Sequence, residues 1–74
     1  MVASDTLNEV VTFTHHYRID NNRWPTAMNF AKSGPLDAEH AKTVLEELTD
    51  DGLLEKETQE RKGQEVEVYK FNGA

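Results

Sequence analysis

The sequence predicts an α+β domain in which three helices are followed by a two-stranded antiparallel hairpin. Apolar residues recur at helical spacing in three segments that precede Gly52. After Gly52, two β-rich runs flank the short loop Arg61-Lys62-Gly63, and a glycine-containing loop of this length is typical of a hairpin. A group of helices followed by a group of strands favours an α+β arrangement.

The first helix is predicted from about Thr6 to Arg18. Thr6 and Glu9 have the spacing of a capping box, and Ser4 is an alternative N-cap. Phe13 falls at the edge of the predicted inward face. That face is formed by residues at helical spacing, which are Leu7, Val10, Val11, Thr14 and Tyr17.

The segment 20–25 predicts a turn, because Asn and Asp tolerate left-handed conformations and Pro25 disfavours helix at Trp24. A short second helix is then predicted from its cap, Thr26, to about Lys32. Its inward stripe is Ala27, Phe30 and Ala31. We interpret Trp24 as a core residue that closes over the first helix, with the ring partners Phe13, Tyr17 and Phe30.

Gly34-Pro35 is predicted to end the second helix, and Asp37 to cap a third helix over about Ala38 to Asp51. Gly52 is predicted to stop this helix, because glycine adopts positive φ without a Cβ penalty. The inward residues of this helix are Val44, Leu45 and Leu48.

The hairpin strands are predicted over residues 53–60 and 64–72, on either side of the loop 61–63. By alternation, Val66 and Val68 point to one side of the second strand, whereas Tyr69 and Phe71 point to the other. This switch of the apolar side predicts a twist or bulge near Tyr69.

Composition limits the function. The chain of 74 residues and 8.4 kDa predicts a single domain, ordered from about residue 5 to residue 72, and too small for a multi-part enzyme. It contains no Cys, no glycine-rich phosphate loop and no long apolar run. His15 and His16 are adjacent, so they project about 100° apart on a helix and do not suit joint metal binding. We therefore expect a cytoplasmic non-enzyme with no metal and no cofactor.

The string AKTVLEELTDDGLLEK at 41–56 resembles the end of the third helix in winged helix-turn-helix domains. Asn22-Arg23-Trp24-Pro25-Thr26 is similar to the turn before the second helix in LexA-like repressor heads. Leu45 through Leu54 is similar to the corresponding string of MarR-type regulators. The resemblance covers about residues 6–72 and implies a winged-helix fold with a hairpin wing.

The resemblance also implies a DNA-binding transcriptional regulator or repressor that acts as a homodimer, with the third helix in the major groove of double-stranded DNA and the wing on its backbone. We expect backbone contacts from Arg18 and Arg23 as well. The DNA-contacting residues implied by the matched positions are Thr26, Lys32, Glu39, His40, Lys42, Thr43, Arg61 and Lys62.

The charge favours an alternative. The chain has 14 acidic and 8 basic residues and a net charge of -6, whereas DNA-binding domains usually present a basic face. A local basic cluster, dimerisation or a high-salt habitat would each offset this repulsion. Alternatively, the domain is a protein-interaction module or nucleic-acid mimic that binds a basic partner through its acidic third helix, or that adds a partner strand to the edge formed by residues 64–72.

Overall fold

The computed structural model describes residues 2–34 and 36–74 and has the predicted winged-helix layout. Three helices precede a two-stranded antiparallel sheet, which confirms the predicted fold class. Pro35, predicted to help end the second helix, lies outside the described residues. The elements are α1 (Ser4–Asn21), α2 (Ala27–Lys32), α3 (Ala41–Asp50), β1 (Leu54–Arg61) and β2 (Gln64–Phe71).

Helix α1 is longer than predicted at both ends. Its N-cap is Ala3, which makes no side-chain cap, so the predicted caps Thr6 and Ser4 are wrong and both lie inside the helix. Asp5 in the first turn stabilises the start electrostatically instead. The helix ends where Asn22 adopts a left-handed conformation (φ 55°), which Asn tolerates better than most residues. Among the described residues, no helix combines the length and apolar character needed to cross a membrane.

Helix α2 confirms the predicted cap. The Thr26 hydroxyl accepts a hydrogen bond from the Asn29 backbone N–H (3.3 Å), and the Asn29 side-chain oxygen accepts one from the Thr26 N–H (2.9 Å). This reciprocal pair is a capping box, with Asn in the position more often held by Glu or Gln. Phe30 is fully buried, and Ala27 and Ala31 pack against the core, so the predicted inward stripe is also confirmed.

Helix α3 begins at Ala41, three residues later than predicted, because residues 38–40 form a separate turn. Asp37 stabilises that turn, since its carboxylate accepts from the Glu39 N–H (3.3 Å) and its carbonyl accepts from the His40 N–H (3.1 Å). The N-cap of α3 is therefore His40, and the prediction that Asp37 caps α3 is wrong.

The predicted stop at Gly52 is confirmed. Its φ is 85°, and its N–H donates to the Thr49 carbonyl (3.1 Å). The Leu53 N–H donates to the Leu48 carbonyl (3.0 Å). These two bonds form a Schellman motif, which satisfies the last carbonyl groups of the helix and directs the chain into β1.

The hairpin has a two-residue turn instead of the predicted three-residue loop. Lys62 and Gly63 both have positive φ, as a type I′ turn requires, and Arg61 is the last residue of β1. The register runs without interruption from Leu54 opposite Phe71 to Arg61 opposite Gln64, so of the twist or bulge predicted near Tyr69 the bulge is wrong.

No bulge is needed, because both faces of β2 are buried at Val68 and Tyr69, near the end of the strand. Val68 and Tyr69 are neighbours that point to opposite faces, yet only 0% and 3% of their surfaces are exposed. The Tyr69 N–H donates to the Pro25 carbonyl (2.9 Å), and Thr26 forms an isolated β-bridge with Val68. The segment before α2 therefore acts as a short third strand that attaches the wing to the helices.

Trp24 also connects this segment to the wing, so its predicted partners are wrong. Its ring packs edge-on against Phe71 (centroids 5.6 Å apart), and the Arg18 guanidinium lies 5.3 Å from its centroid. Phe13 instead packs against Phe30 (4.9 Å) and Tyr17 (5.7 Å) in a separate aromatic row between α1 and α2. Pro25 is buried directly after Trp24, which fixes the indole beside the hairpin base.

We predict that Gly52→Ala lowers the free energy of unfolding by about 1 kcal/mol, because Ala disfavours the positive φ of the Schellman motif. A Cβ at this position would meet no atom within 4 Å, so the loss is conformational and not steric. Urea denaturation measures it. Gly52→Asn is the matched control and should lose less, since Asn tolerates this conformation. An Ala variant as stable as the parent would contradict this assignment.

Candidate nucleic-acid interface

The first turn of α3 presents two of the predicted DNA-contacting residues to solvent. Ala41, Leu45 and Leu48 are buried and fix the inner face of the helix. Lys42 and Thr43 lie on the opposite side and are exposed. An exposed Lys and Thr at the start of the second helix of a helix-turn-helix have the chemistry to reach phosphates and base edges.

The predicted contacts Glu39 and His40 lie in the turn before α3 and not on the helix. His40 Nδ1 lies 2.8 Å from Asp37 Oδ2, and both side chains are mostly exposed. The hydrogen bond from His40, followed by that from the Glu39 backbone, holds the pKa of the Asp37 carboxyl below its ordinary value. His40 is therefore oriented by Asp37, at the entrance to α3.

Sequence reasoning missed that Asp37, Glu39 and His40 come together. One potential ligand atom from each lies within 4.8 Å of the others. The predicted helix start at Ala38 would have directed these three side chains apart. The sequence signal for their grouping was the spacing of an acid, any residue, an acid and a histidine. Their hydrogen bonds stabilise the turn that precedes α3. They also lie at the N-terminal end of this helix, where the macrodipole disfavours cations. We assign them no metal-binding role.

At the wing tip, Lys62 is exposed but Arg61 is not free. The Arg61 guanidinium donates to the Trp24 carbonyl (3.3 Å) and to Gln59 Oε1 (3.1 Å), and the residue is half-buried. Arg61 therefore holds the wing against the α1–α2 turn, and its predicted phosphate contact would have to use guanidinium N–H groups outside these two hydrogen bonds. Arg61 is the last residue of β1, whereas Lys62 is the first residue of the turn.

Two other predicted contacts are similarly occupied. Thr26 is half-buried, and its hydroxyl both accepts from Asn29 and donates to Asn29 Oδ1 (3.0 Å). Arg18 stacks on Trp24 and donates to Asn22 Oδ1 (3.0 Å). These side chains position the surrounding turns, and their predicted contacts with DNA would compete with these intramolecular bonds.

The remaining basic residues divide clearly. Lys56 pairs with Glu67 (3.5 Å), and Lys70 pairs with Glu55 and Glu57 (3.4 Å each). Within residues 2–34 and 36–74, four basic side chains have no hydrogen bond or ion pair and are exposed. They lie in the α1–α2 turn, the last turn of α2, the first turn of α3 and the wing tip: Arg23, Lys32, Lys42 and Lys62.

Acidic side chains border this set. On α3, the exposed Glu46 and Asp50 follow Lys42 at intervals of four residues, so they extend along the same outer face. In the wing, Glu60 and Glu65 are directly opposite and both exposed. Like charges in direct cross-strand pairs repel each other. The unpaired basic residues thus lie at the ends of helices and strands, with acidic side chains along α3 and the wing beside them.

A groove on α1 was also missed by sequence reasoning. It has a volume of about 450 Å³ and is lined by Asn8, Glu9, Thr12, Phe13, His16, Ser33 and Gly34. The groove joins α1 to the loop after α2, a juxtaposition that periodicity does not reveal. Gly34 is required there, since a Cβ would lie 2.8 Å from the Phe30 carbonyl oxygen.

A scan against protein-family models, a search of curated proteins and a search of solved structures each find no match for this chain. The resemblance to LexA-like and MarR-like heads therefore remains a prediction, carried by the sequence strings and by the winged-helix layout.

We predict that His40→Ala raises the pKa of the Asp37 carboxyl toward its ordinary value, since it removes the imidazole partner that favours the ionised form and leaves no side-chain donor in its place. An Asp pKa lowered by folding stabilises the fold above the unfolded pKa, and this contribution is lost as pH falls through the folded pKa. NMR titration of the Asp37 carboxyl carbon in both proteins measures the change. Identical titrations would show that His40 does not lower the pKa of the Asp37 carboxyl.

Proposed function

We propose that this chain is a winged-helix DNA-binding regulator that inserts the start of α3 into the major groove and contacts the DNA backbone with its wing. The fold supplies the two elements in the required order, with eight residues between the end of α2 at Lys32 and the start of α3 at Ala41, and with the hairpin directly after α3. Fold alone does not determine function, so the proposal depends on the exposed side chains.

The distribution of unpaired basic side chains is the observation that carries the proposal. The four free basic residues of the described chain, Arg23, Lys32, Lys42 and Lys62, all belong to the set expected from the winged-helix resemblance. The other four are held by intramolecular partners. Lysines without a partner keep their charge available for phosphate, with no internal contact to break.

We assign separate roles to these residues. Lys42 and Thr43, on the first turn of α3, contact base edges and adjacent phosphate in the major groove. Lys32, at the C-terminal end of α2, and Arg23, in the turn before α2, contact the backbone and fix its register. Lys62 contacts phosphate from the wing, while Arg61 and Thr26 hold the wing and α2 in position.

The net charge of -6 limits the affinity. Repulsion from Glu46 and Asp50 lowers binding to any duplex, so we expect non-specific affinity in the micromolar range at low salt. Homodimerisation on a two-fold site would add contacts that one short helix lacks. A DNA-binding role also accords with the expected cytoplasmic location.

A second candidate function is docking on a basic protein. It is favoured by the exposed Glu46 and Asp50, which form an acidic stripe on the outer face of α3. A basic partner surface would complement this stripe electrostatically. This candidate and DNA binding use different ends of the same helix and predict opposite outcomes in a DNA titration.

We predict salt-dependent binding of the domain to a random fluorescent DNA duplex, measured by anisotropy at several salt concentrations. Lys42→Ala and Lys62→Ala should each weaken binding and reduce the slope of log affinity against log salt by about 1, because each removes one phosphate contact. Lys70→Gln is the matched control and should preserve the slope, since Lys70 is already paired with Glu55 and Glu57.

Circular dichroism of each variant establishes that it is folded. Absence of binding by the folded parent at low salt would contradict the proposal and favour the acidic docking surface. Binding that is unchanged by both lysine variants would place the DNA elsewhere on the domain.

A further inference from the structure

The outer edge of β1 is open. Strand β1 pairs with β2 on one side only, and in the described residues no backbone hydrogen bond reaches its other side from outside the hairpin. The far edge of β2 is different, because Pro25 and Thr26 already occupy it at Tyr69 and Val68. The β1 edge is therefore open, whereas the 64–72 strand suggested by the sequence is occupied at Val68 and Tyr69.

The hydrogen-bond pattern shows which residues of β1 offer their backbone to a new strand. The Asn72 N–H donates to the Leu53 carbonyl (3.1 Å), which makes Leu53 and Asn72 a hydrogen-bonded pair. Pairs alternate along an antiparallel ladder, so the odd-numbered residues of β1 bond to β2. The even-numbered residues Lys56, Thr58 and Glu60 direct their N–H and C=O groups outward.

The charges of β1 are antisymmetric about Thr58. Two residues before it is Lys56 and two after it is Glu60; three before it is Glu55 and three after it is Arg61. In an antiparallel pair of identical strands centred on Thr58, each of these residues lies opposite its counter-charge. Glu57 then lies opposite the neutral Gln59.

We propose that β1 is a self-association edge, through which two copies of this chain form a continuous four-stranded antiparallel sheet with a two-fold axis between their Thr58 residues. Each copy contributes Lys56 to Glu60 of the second copy, and Glu60 to Lys56 in return. Lys56 is partly exposed beside its own Glu67 (3.5 Å), so in the dimer it lies between two carboxylates and is shared by them. The association is a property of the protein without DNA, so it does not depend on the proposed DNA-binding function.

The same charges reject the neighbouring registers. Centring the pair on Glu57 keeps the backbone alternation but places Glu57 opposite Glu57. Centring it on Gln59 places Lys56 opposite Lys62 of the second copy. Like charges directly opposite each other destabilise a strand pair, so the Thr58 register is selected over both.

The second copy would also relieve a repulsion within the hairpin. Glu60 and Glu65 are directly opposite each other on the same face of the sheet and have no basic partner within the described residues. In the proposed sheet, Lys56 of the second copy lies next to Glu60 in the same row, on the side away from Glu65. It thereby places a positive charge beside the repelling pair.

The two helical bodies fit this arrangement. The hydrophobic core of each copy lies at the Leu54 end of its own β1, and antiparallel pairing places these ends at opposite ends of the sheet. Leu54 of one copy lies opposite Lys62 of the other, so the two Leu54 residues are separated by about 27 Å along the strands. The bodies therefore lie side by side along the sheet instead of meeting at its centre.

Sedimentation velocity over a range of protein concentrations tests the proposal, with the whole chain and no DNA. The parent should shift from 8.4 kDa to twice that mass as concentration rises. Lys56→Glu should raise the dimer Kd at least about tenfold, because it converts two symmetry-related attractive pairs into repulsive pairs. Glu60→Lys should do the same.

The double variant K56E/E60K should restore association, since the two charges are exchanged and the net charge of -6 is unchanged. Lys32→Glu, an exposed lysine on α2, is the matched control and should leave the Kd within about twofold of the parent. A parent that stays monomeric at all concentrations would overturn the proposal. A dimer weakened by both single variants but not restored in the double variant would also overturn it, as would a dimer indifferent to all of them.

Discussion

The architecture depends on the attachment of β2 to the segment before α2. One backbone hydrogen bond, from the Tyr69 N–H to the Pro25 carbonyl, and one β-bridge, between Thr26 and Val68, join the wing to the segment before α2. Burial of Val68 and Tyr69 on opposite faces of β2 reinforces this join. An isolated two-stranded hairpin is marginally stable in water. The wing is therefore ordered by its contacts with the helical body and not by its own pairing.

This attachment determines which surfaces remain available. It fixes Trp24 against Phe71 and brings the Trp24 carbonyl within reach of Arg61, so the last residue of β1 is directed to the body and Lys62 alone extends from the turn. It also occupies the far edge of β2 at Val68 and Tyr69 and leaves the outer edge of β1 open. The proposed DNA contact Lys62 thus lies at the wing tip, whereas the proposed self-association edge is centred on Thr58.

Local signals in the sequence predicted the elements, whereas tertiary contacts decided the roles of individual side chains. Thr26 and Gly52 act through neighbours within a few residues, so their cap and stop were correctly predicted. The start of α3 was misplaced because Asp37 can cap either a turn or a helix. The partners of Trp24 and Arg61 were not predictable, since Arg61 reaches across 37 residues to the Trp24 carbonyl. The absence of a bulge similarly required knowing that Pro25 covers β2.

Amide hydrogen exchange at Tyr69 tests this attachment most directly. Tyr69 lies opposite Lys56 in a pair that is not hydrogen-bonded across the hairpin, so its N–H is protected only by the Pro25 carbonyl. The structure predicts that this amide exchanges as slowly as the core amide of Leu45, by unfolding of the whole domain. Exchange of Tyr69 at the rate of an unpaired strand-edge amide, while Leu45 stays protected, would show that the wing moves independently of the helices and would contradict the account.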